Sequence, residues 1–225
     1  MKALLYKEFK LAMHPICYLF ITLFPLMILI PSYPIAIGFI YVLSCYPILF
    51  LGANKGQQSN DLLFSTLLPV RKKDIVLARM VTVAFMQFAF VAIMSALYPL
   101  ALFINSSIPE GSPTPGLGIS GYVSVLAIAL VGYAIADIIF FPIYYKHGKS
   151  IVMSTLMTIL GFILYLAIFT IVFPYIPGFG GYVDVLCNRG VGIQFAILGG
   201  ALVIYFIIHI FVFKISSKRL EKVDF

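Results

Sequence analysis

Charge is the first thing this chain lacks. Only 10% of its 225 residues are Asp, Glu, Lys or Arg, while 62% are hydrophobic. A water-soluble domain needs roughly a quarter of its residues charged to cover its surface, so a soluble globule of this length is excluded. Cysteine is scarce as well. Cys17, Cys45 and Cys187 share no loop, and no Cys-x-x-Cys or Cys/His spacing points to zinc or redox work; they read as small apolar packing residues. Catalytic parts are missing too. There is no Gly-x-x-x-x-Gly-Lys-[Ser/Thr] to bind ATP and no His-Glu-x-x-His for metal-assisted hydrolysis. His14, His147 and His209 are scattered, and no Ser/His/Asp set falls at one membrane depth. The expectation is a chain that is not an enzyme, with no cofactor or metal site of its own. A cleaved secretory signal is not expected either: the apolar run after Lys10 holds Pro25 and bulky residues, with no small-x-small site after it. Neither an internal repeat nor a linker divides the chain, so residues 1–225 read as a single transmembrane domain.

What the chain has is apolar length. A hydrocarbon core of about 30 Å takes about 20 apolar helical residues to cross. Six such runs occur, at about 15–32, 34–53, 79–104, 121–143, 151–173 and 192–213. The fold class expected is all-α, a polytopic membrane protein of six transmembrane helices. Pro31-Ser32-Tyr33-Pro34 is a tight turn that makes spans one and two a hairpin. The stretch 54–78 is the longest polar separator, and 105–120 is an irregular loop rich in Pro, Gly and Ser.

Basic residues near span ends favour the cytoplasm. Lys2, Lys7 and Lys10 precede span one. Lys55, Arg71, Lys72, Lys73 and Arg79 lie between spans two and three, Lys146 and Lys149 between four and five, and Lys214, Lys218, Arg219 and Lys222 follow span six. With six spans all fourteen fall on one side, leaving Arg189 alone opposite. Both termini are therefore expected in the cytoplasm, and the net charge of +7 is a property of that face rather than a sign of nucleic acid. Asn105-Ser106-Ser107 forms a glycosylation triplet on the outer side, of a kind common by chance.

Three segments stand out. At the N-terminus, about 1–13, helical spacing puts Leu5, Phe9, Ala12, Met13 and Ile16 on one stripe and Lys7, Glu8 and Lys10 on the other side. Such a helix would lie along the headgroups and turn inward near His14-Pro15; the plainer alternative is that it extends span one. In the loop of about 54–78, Ser59, Asn60 or Asp61 can cap a short helix. Leu62, Leu63, Phe64, Leu67 and Leu68 give that helix an apolar side, and Pro69 stops it. A second helix then starts near Arg71. Five large apolar residues outside the bilayer call for a partner, unless they pack on the chain's own cytoplasmic ends. Lastly, Arg79, Asp137 and His209 fall inside or at the edge of spans, where ionisable groups are costly and face protein or water. All three are expected near one cytoplasmic depth, either lining a vestibule for a cationic or amphipathic substrate or holding helices in register. Small residues (Ala129, Gly132 and Ala136 on span four; Gly192, Gly199, Gly200 and Ala201 on span six) allow close helix approach within the subunit or across a dimer.

Leu67-Leu68-Pro69-Val70-Arg71-Lys72-Lys73-Asp74-Ile75-Val76 resembles the Ser-Leu-Pro-Val-Ser-Arg-Lys-Asp-Ile-Val signature of small type 2 ABC transporter permeases. Met1-Lys2-Ala3-Leu4-Leu5-Tyr6-Lys7-Glu8-Phe9 is similar to their N-terminus. Leu67 and Arg71 depart from the pattern, the second where a capping Ser or Thr is common. The resemblance implies an N-terminal elbow helix at the membrane surface and a coupling helix, Asp61 to Leu68, that seats in a separate ATPase subunit. Arg71, Lys72, Lys73 and Asp74 would then be polar contacts at its edge or with lipid phosphate. It further implies a second permease subunit, in a homodimer or heterodimer, and ATP and Mg bound in the partner ATPase. The location implied is the bacterial cytoplasmic membrane. Exporters of amphipathic cytolytic peptides, such as phenol-soluble modulins, look closest in size and layout, with antibiotic-resistance and lantibiotic-immunity permeases next. A secondary transporter or a membrane scaffold working without an ATPase is the competing reading; the first needs polar groups near the midplane, and only Asp137 comes near.

Overall fold

Long apolar sequences with no water to satisfy their backbone must close their hydrogen bonds internally, in helices or a closed barrel, and uninterrupted apolar runs of about 20 residues suit helices. The computed structural model describes residues 2–13, 15–29, 65, 69–106, 123–147, 151–168 and 191–223, and among them there are helices and no strand. Helix α1 is Lys2–Lys7, continued by a π-turn, Glu8–Ala12; α2 is Pro15–Leu23, continued as 3₁₀ helix over Phe24–Leu29. Four more follow: α3 Lys72–Ser106, α4 Val123–His147, α5 Ile151–Ala167 and α6 Val191–Glu221. The expected span two and most of the expected coupling helix lie outside the described residues, Ser65 excepted.

Among the described residues three helices are long and apolar enough to cross a membrane: α3, α4 and α6. A fourth crossing exists if α1 and α2 count as one bent span, the two turning by 78° at the break. The shorter α5 is also apolar. At about 1.5 Å per residue α3 is roughly 50 Å long, well beyond the hydrocarbon core, so its first turns project past the apolar layer. Helix α4 is the centre of the bundle: it packs most extensively on α6 and next on α5. On the α5 side the approach is set by glycine. A methyl group at Gly132 would lie 2.7 Å from the Phe162 ring, and one at Gly161 would overlap Ile139. Around α4 the core is aromatic. Phe140 stacks on Tyr144 and Phe141 on Tyr145, each at 11° between planes, and all four are buried. The outward faces of α5 and α6 carry Leu156, Leu160, Ile163, Ile207, Ile210 and Phe211 exposed, as lipid-facing helices do.

One end of the bundle collects basic residues among those described. Lys72 at the start of α3 donates to the carbonyls of Glu221, the last residue of α6, and of Val223 just past it. Arg219 of α6 donates to the Pro142 carbonyl in the last turns of α4, where a cation suits the negative end of the helix dipole. Arg79 of α3 reaches Glu8 at the N-terminus. The N-terminal helix and the C-terminal end of α6 thus share one end of the molecule.

Helix α1 corrects the sequence reading of its faces. The buried stripe is Leu4, Glu8, Met13, Cys17 and Ile21, with Lys7 beside Glu8, whereas Ile16 is exposed and Leu5 half-buried. The spacing runs four, five, four, four. The step of five is the π-turn, in which Met13 N–H donates to the Glu8 carbonyl at 2.9 Å. A uniform 100° per residue does not follow a chain that widens by one residue, and it assigned Lys7 and Glu8 to the outer face. Buried Arg79 is what draws the acid inward.

Candidate functional site

Among the described residues two polar centres lie inside the apolar bundle, and each joins elements distant in sequence. The first sits at the basic end. Arg79 is only 1% exposed, and a guanidinium cannot shed its proton to ease that burial. It is met by Glu8, with Nε at 2.9 Å from one carboxylate oxygen and Nη2 at 3.0 Å from the other. This two-pronged geometry matches the guanidinium fork to the carboxylate. Nη1 donates to the Tyr144 hydroxyl of α4 at 3.3 Å. Lys7 Nζ lies 3.6 Å from Glu8 Oε1 and donates to the hydroxyl of buried Ser65. Through these contacts α1, the segment preceding α3, α3 itself and α4 are held on one carboxylate. Breaking such a pair by removing one partner costs about 3–5 kcal/mol, because the other charge is left buried.

The second centre lies deeper. Gln87 is eight residues along α3 from Arg79, or about 12 Å farther in. Its Nε2 donates to Asp137 Oδ2 of α4 at 3.0 Å, and its Oε1 accepts from the Tyr205 hydroxyl of α6. His209 Nε2 is 3.0 Å from the same Asp137 oxygen, an ion-pair distance whose approach is not aligned as a hydrogen bond, and Asp137 Oδ1 has no hydrogen-bond partner. His209 Nδ1 is 3.1 Å from the Tyr205 carbonyl, and the two rings stack with centroids 4.0 Å apart. Asp137, Gln87 and Tyr205 are essentially inaccessible. The arrangement clasps α3, α4 and α6 at mid-depth, with Asp137 and Gln87 closed off from the surface.

Arg79, Asp137 and His209 therefore do not form one cluster. Asp137 and His209 meet; Arg79 belongs to the other centre, about two turns nearer the basic end. Asp74 sits in the first turn of α3, where its N–H donates to the Arg71 carbonyl, and Arg71 and Lys73 are exposed. Pro69 is exposed in the bend before the helix. Asp61, Leu62, Leu63, Phe64, Leu67 and Leu68 lie outside the described residues. Sequence reasoning missed Lys7, Glu8, Ser65, Gln87, Tyr144 and Tyr205. A signal existed for two: Glu8 is the sole acid among the first sixty residues, and Gln87 is an amide within an otherwise apolar stretch. Among the described residues no group of His, Cys, Asp and Glu is arranged to hold a metal ion.

A bundle of apolar helices clasped by buried polar pairs, with its cations gathered at one end, defines a multi-pass membrane protein. Residues 3–217 match the family model described as ABC-2 family transporter protein, and the chain belongs to that family. It is the permease component of an ABC transporter, a transmembrane part of a generally non-catalytic kind, whose family partner is an ABC ATPase subunit. Neither a curated protein nor a solved structure matches the chain.

Proposed function

We propose that this permease subunit exports a hydrophobic or amphipathic substrate, most simply a peptide, driven by a separate ATPase that docks on the loop before α3. The observation that carries the reading is the Lys7–Glu8–Arg79 centre, which ties Ser65, inside the expected coupling helix, to α1, α3 and α4. A push on that loop reaches the two central helices through buried, directional contacts instead of a slack surface strand. The largely apolar interior suits cargo that is itself largely apolar. Six spans, both termini in the cytoplasm, a bacterial plasma membrane and a second permease subunit complete the proposal. Leu62, Leu63, Phe64, Leu67 and Leu68 supply the docking surface, with ATP and Mg held by the partner.

Co-purification tests it. An ATPase should be recovered with the intact chain and lost when Leu63 and Phe64 are changed to Glu, while the Glu8→Gln chain should retain the ATPase but uncouple its hydrolysis from transport. Recovery of the ATPase on the doubly charged variant would overturn the docking assignment. Transport by the purified chain in liposomes without nucleotide would instead establish the secondary-transporter reading.

A further inference from the structure

Between α3 and α6 the flank of the bundle carries a groove of about 250 Å³, opening sideways from the molecule. Its walls are Leu77, Val81 and Ala84 of α3 and Phe206, Ile210 and Phe213 of α6, with His209 at its floor. On each helix the wall positions run i, i+4, i+7, so they form one stripe per helix. Seven residues of helix make the groove about 10 Å long, shorter than one leaflet of a core about 30 Å thick. Val81, Phe206 and Ile210 are exposed in it.

At the basic end both stripes continue into a lysine. Lys73 precedes Leu77 by four residues, one turn beyond the groove, and Lys214 follows Ile210 by four, directly after the last wall residue Phe213, so each lies on the helix face of its stripe. Both are exposed. The neighbouring Lys72 is engaged with the C-terminal carbonyls, and Arg79 with Glu8. An apolar slot of sub-leaflet length with two cations above its mouth complements a molecule that has an acyl chain below a negative headgroup. We propose that the α3–α6 groove is a binding site for an anionic phospholipid, its acyl chain along Val81 and Ile210 and its phosphate on Lys73 and Lys214. A second copy of the chain fits less well. In a two-fold pair about the membrane normal each partner presents the same residues at the same depth, so two more lysines would meet these two.

The sequence contains no tryptophan, so one introduced indole reports without background. Val81→Trp places it in the groove, and Ile163→Trp on the exposed face of α5 serves as a reference. Each chain is reconstituted in phosphatidylcholine vesicles carrying acyl-brominated phosphatidylglycerol or, at equal mole fraction, acyl-brominated phosphatidylcholine. The groove reporter should be quenched preferentially by the anionic lipid and the reference equally by both. Changing Lys73 or Lys214 to Gln should lower the preference by about fivefold each, and Lys73→Arg should keep it. Equal quenching of the groove reporter by the two lipids, indifferent to the lysines, would overturn the proposal. Protection of the groove reporter from both lipids would do the same, by showing that protein fills the slot. The measurement uses no ATPase, so its outcome is separate from the docking test.

Discussion

At Arg79 a permanent cation is 1% exposed, and it is tolerable there only because Glu8 meets it with both carboxylate oxygens. Glu8→Gln keeps the size and removes the charge, so the guanidinium stays buried without its counterion. A loss of about 3–5 kcal/mol follows, which for a chain of this size is a fall in thermal midpoint on the order of 10 °C. Adding Arg79→Gln removes the orphaned charge, so the double variant should melt above the Glu8→Gln chain. Simple additivity of the two losses would mean the residues are not coupled. Asp137 gives a finer contrast. Asp137→Asn still offers Gln87 an acceptor, whereas Asp137→Leu leaves the Gln87 amide without one. The leucine variant should therefore be less stable than the asparagine variant by about 1–3 kcal/mol, the cost of a buried polar group left unpaired, read from denaturation in detergent.

Among the elements, glycines sort by what faces them. At Gly132 a side chain meets the rings of Phe162 and Tyr165, which are fixed between α4 and α5. Gly132→Val should push these helices apart and cost about 1–3 kcal/mol by overpacking. Gly161 faces only the flexible tip of Ile139, so Gly161→Ala should be milder. Gly199 and Gly200 on α6 have nothing within 4 Å; alanine at either should stabilise by about 0.5–1 kcal/mol through helix propensity. Thermal melts of the four variants give the order, and destabilisation by Gly200→Ala would contradict the open face. Much of this level was readable beforehand. The apolar runs at 79–104 and 121–143 locate α3 and α4, because span length is a bulk property of composition. What each polar residue faces was not readable. A helix apolar all round has no preferred face in its sequence, so nothing local says that Arg79 turns to α1 while Asp137 turns to α6. In α1 the π-turn shifts the register of the buried stripe by one residue, so uniform helical spacing puts Lys7 and Glu8 on the wrong side.

The arrangement of the whole molecule has a consequence that the separate helices do not. Glu8, Arg79, Tyr144 and Arg219 gather parts of α1, α3, α4 and α6 at a single basic end, and Lys72 ties that end to Glu221 and Val223 at the close of α6. A cation-rich end is retained in the cytoplasm during insertion, so the N- and C-terminal ends should share that side. The deeper Gln87–Asp137–His209 clasp then lies within the membrane, unreachable from water. Single-cysteine chains test the arrangement, with Cys17, Cys45 and Cys187 replaced by Ala. In intact cells, cysteines introduced at Lys2 and Lys222 should both resist a membrane-impermeant maleimide and both react once the cells are opened. One at Ser112, in the loop expected outside, should react from the start, and one at Gln87 in neither condition. Opposite behaviour at Lys2 and Lys222 would require an odd number of crossings. It would also be incompatible with the Lys72–Val223 and Arg79–Glu8 contacts existing at one end of the same folded chain.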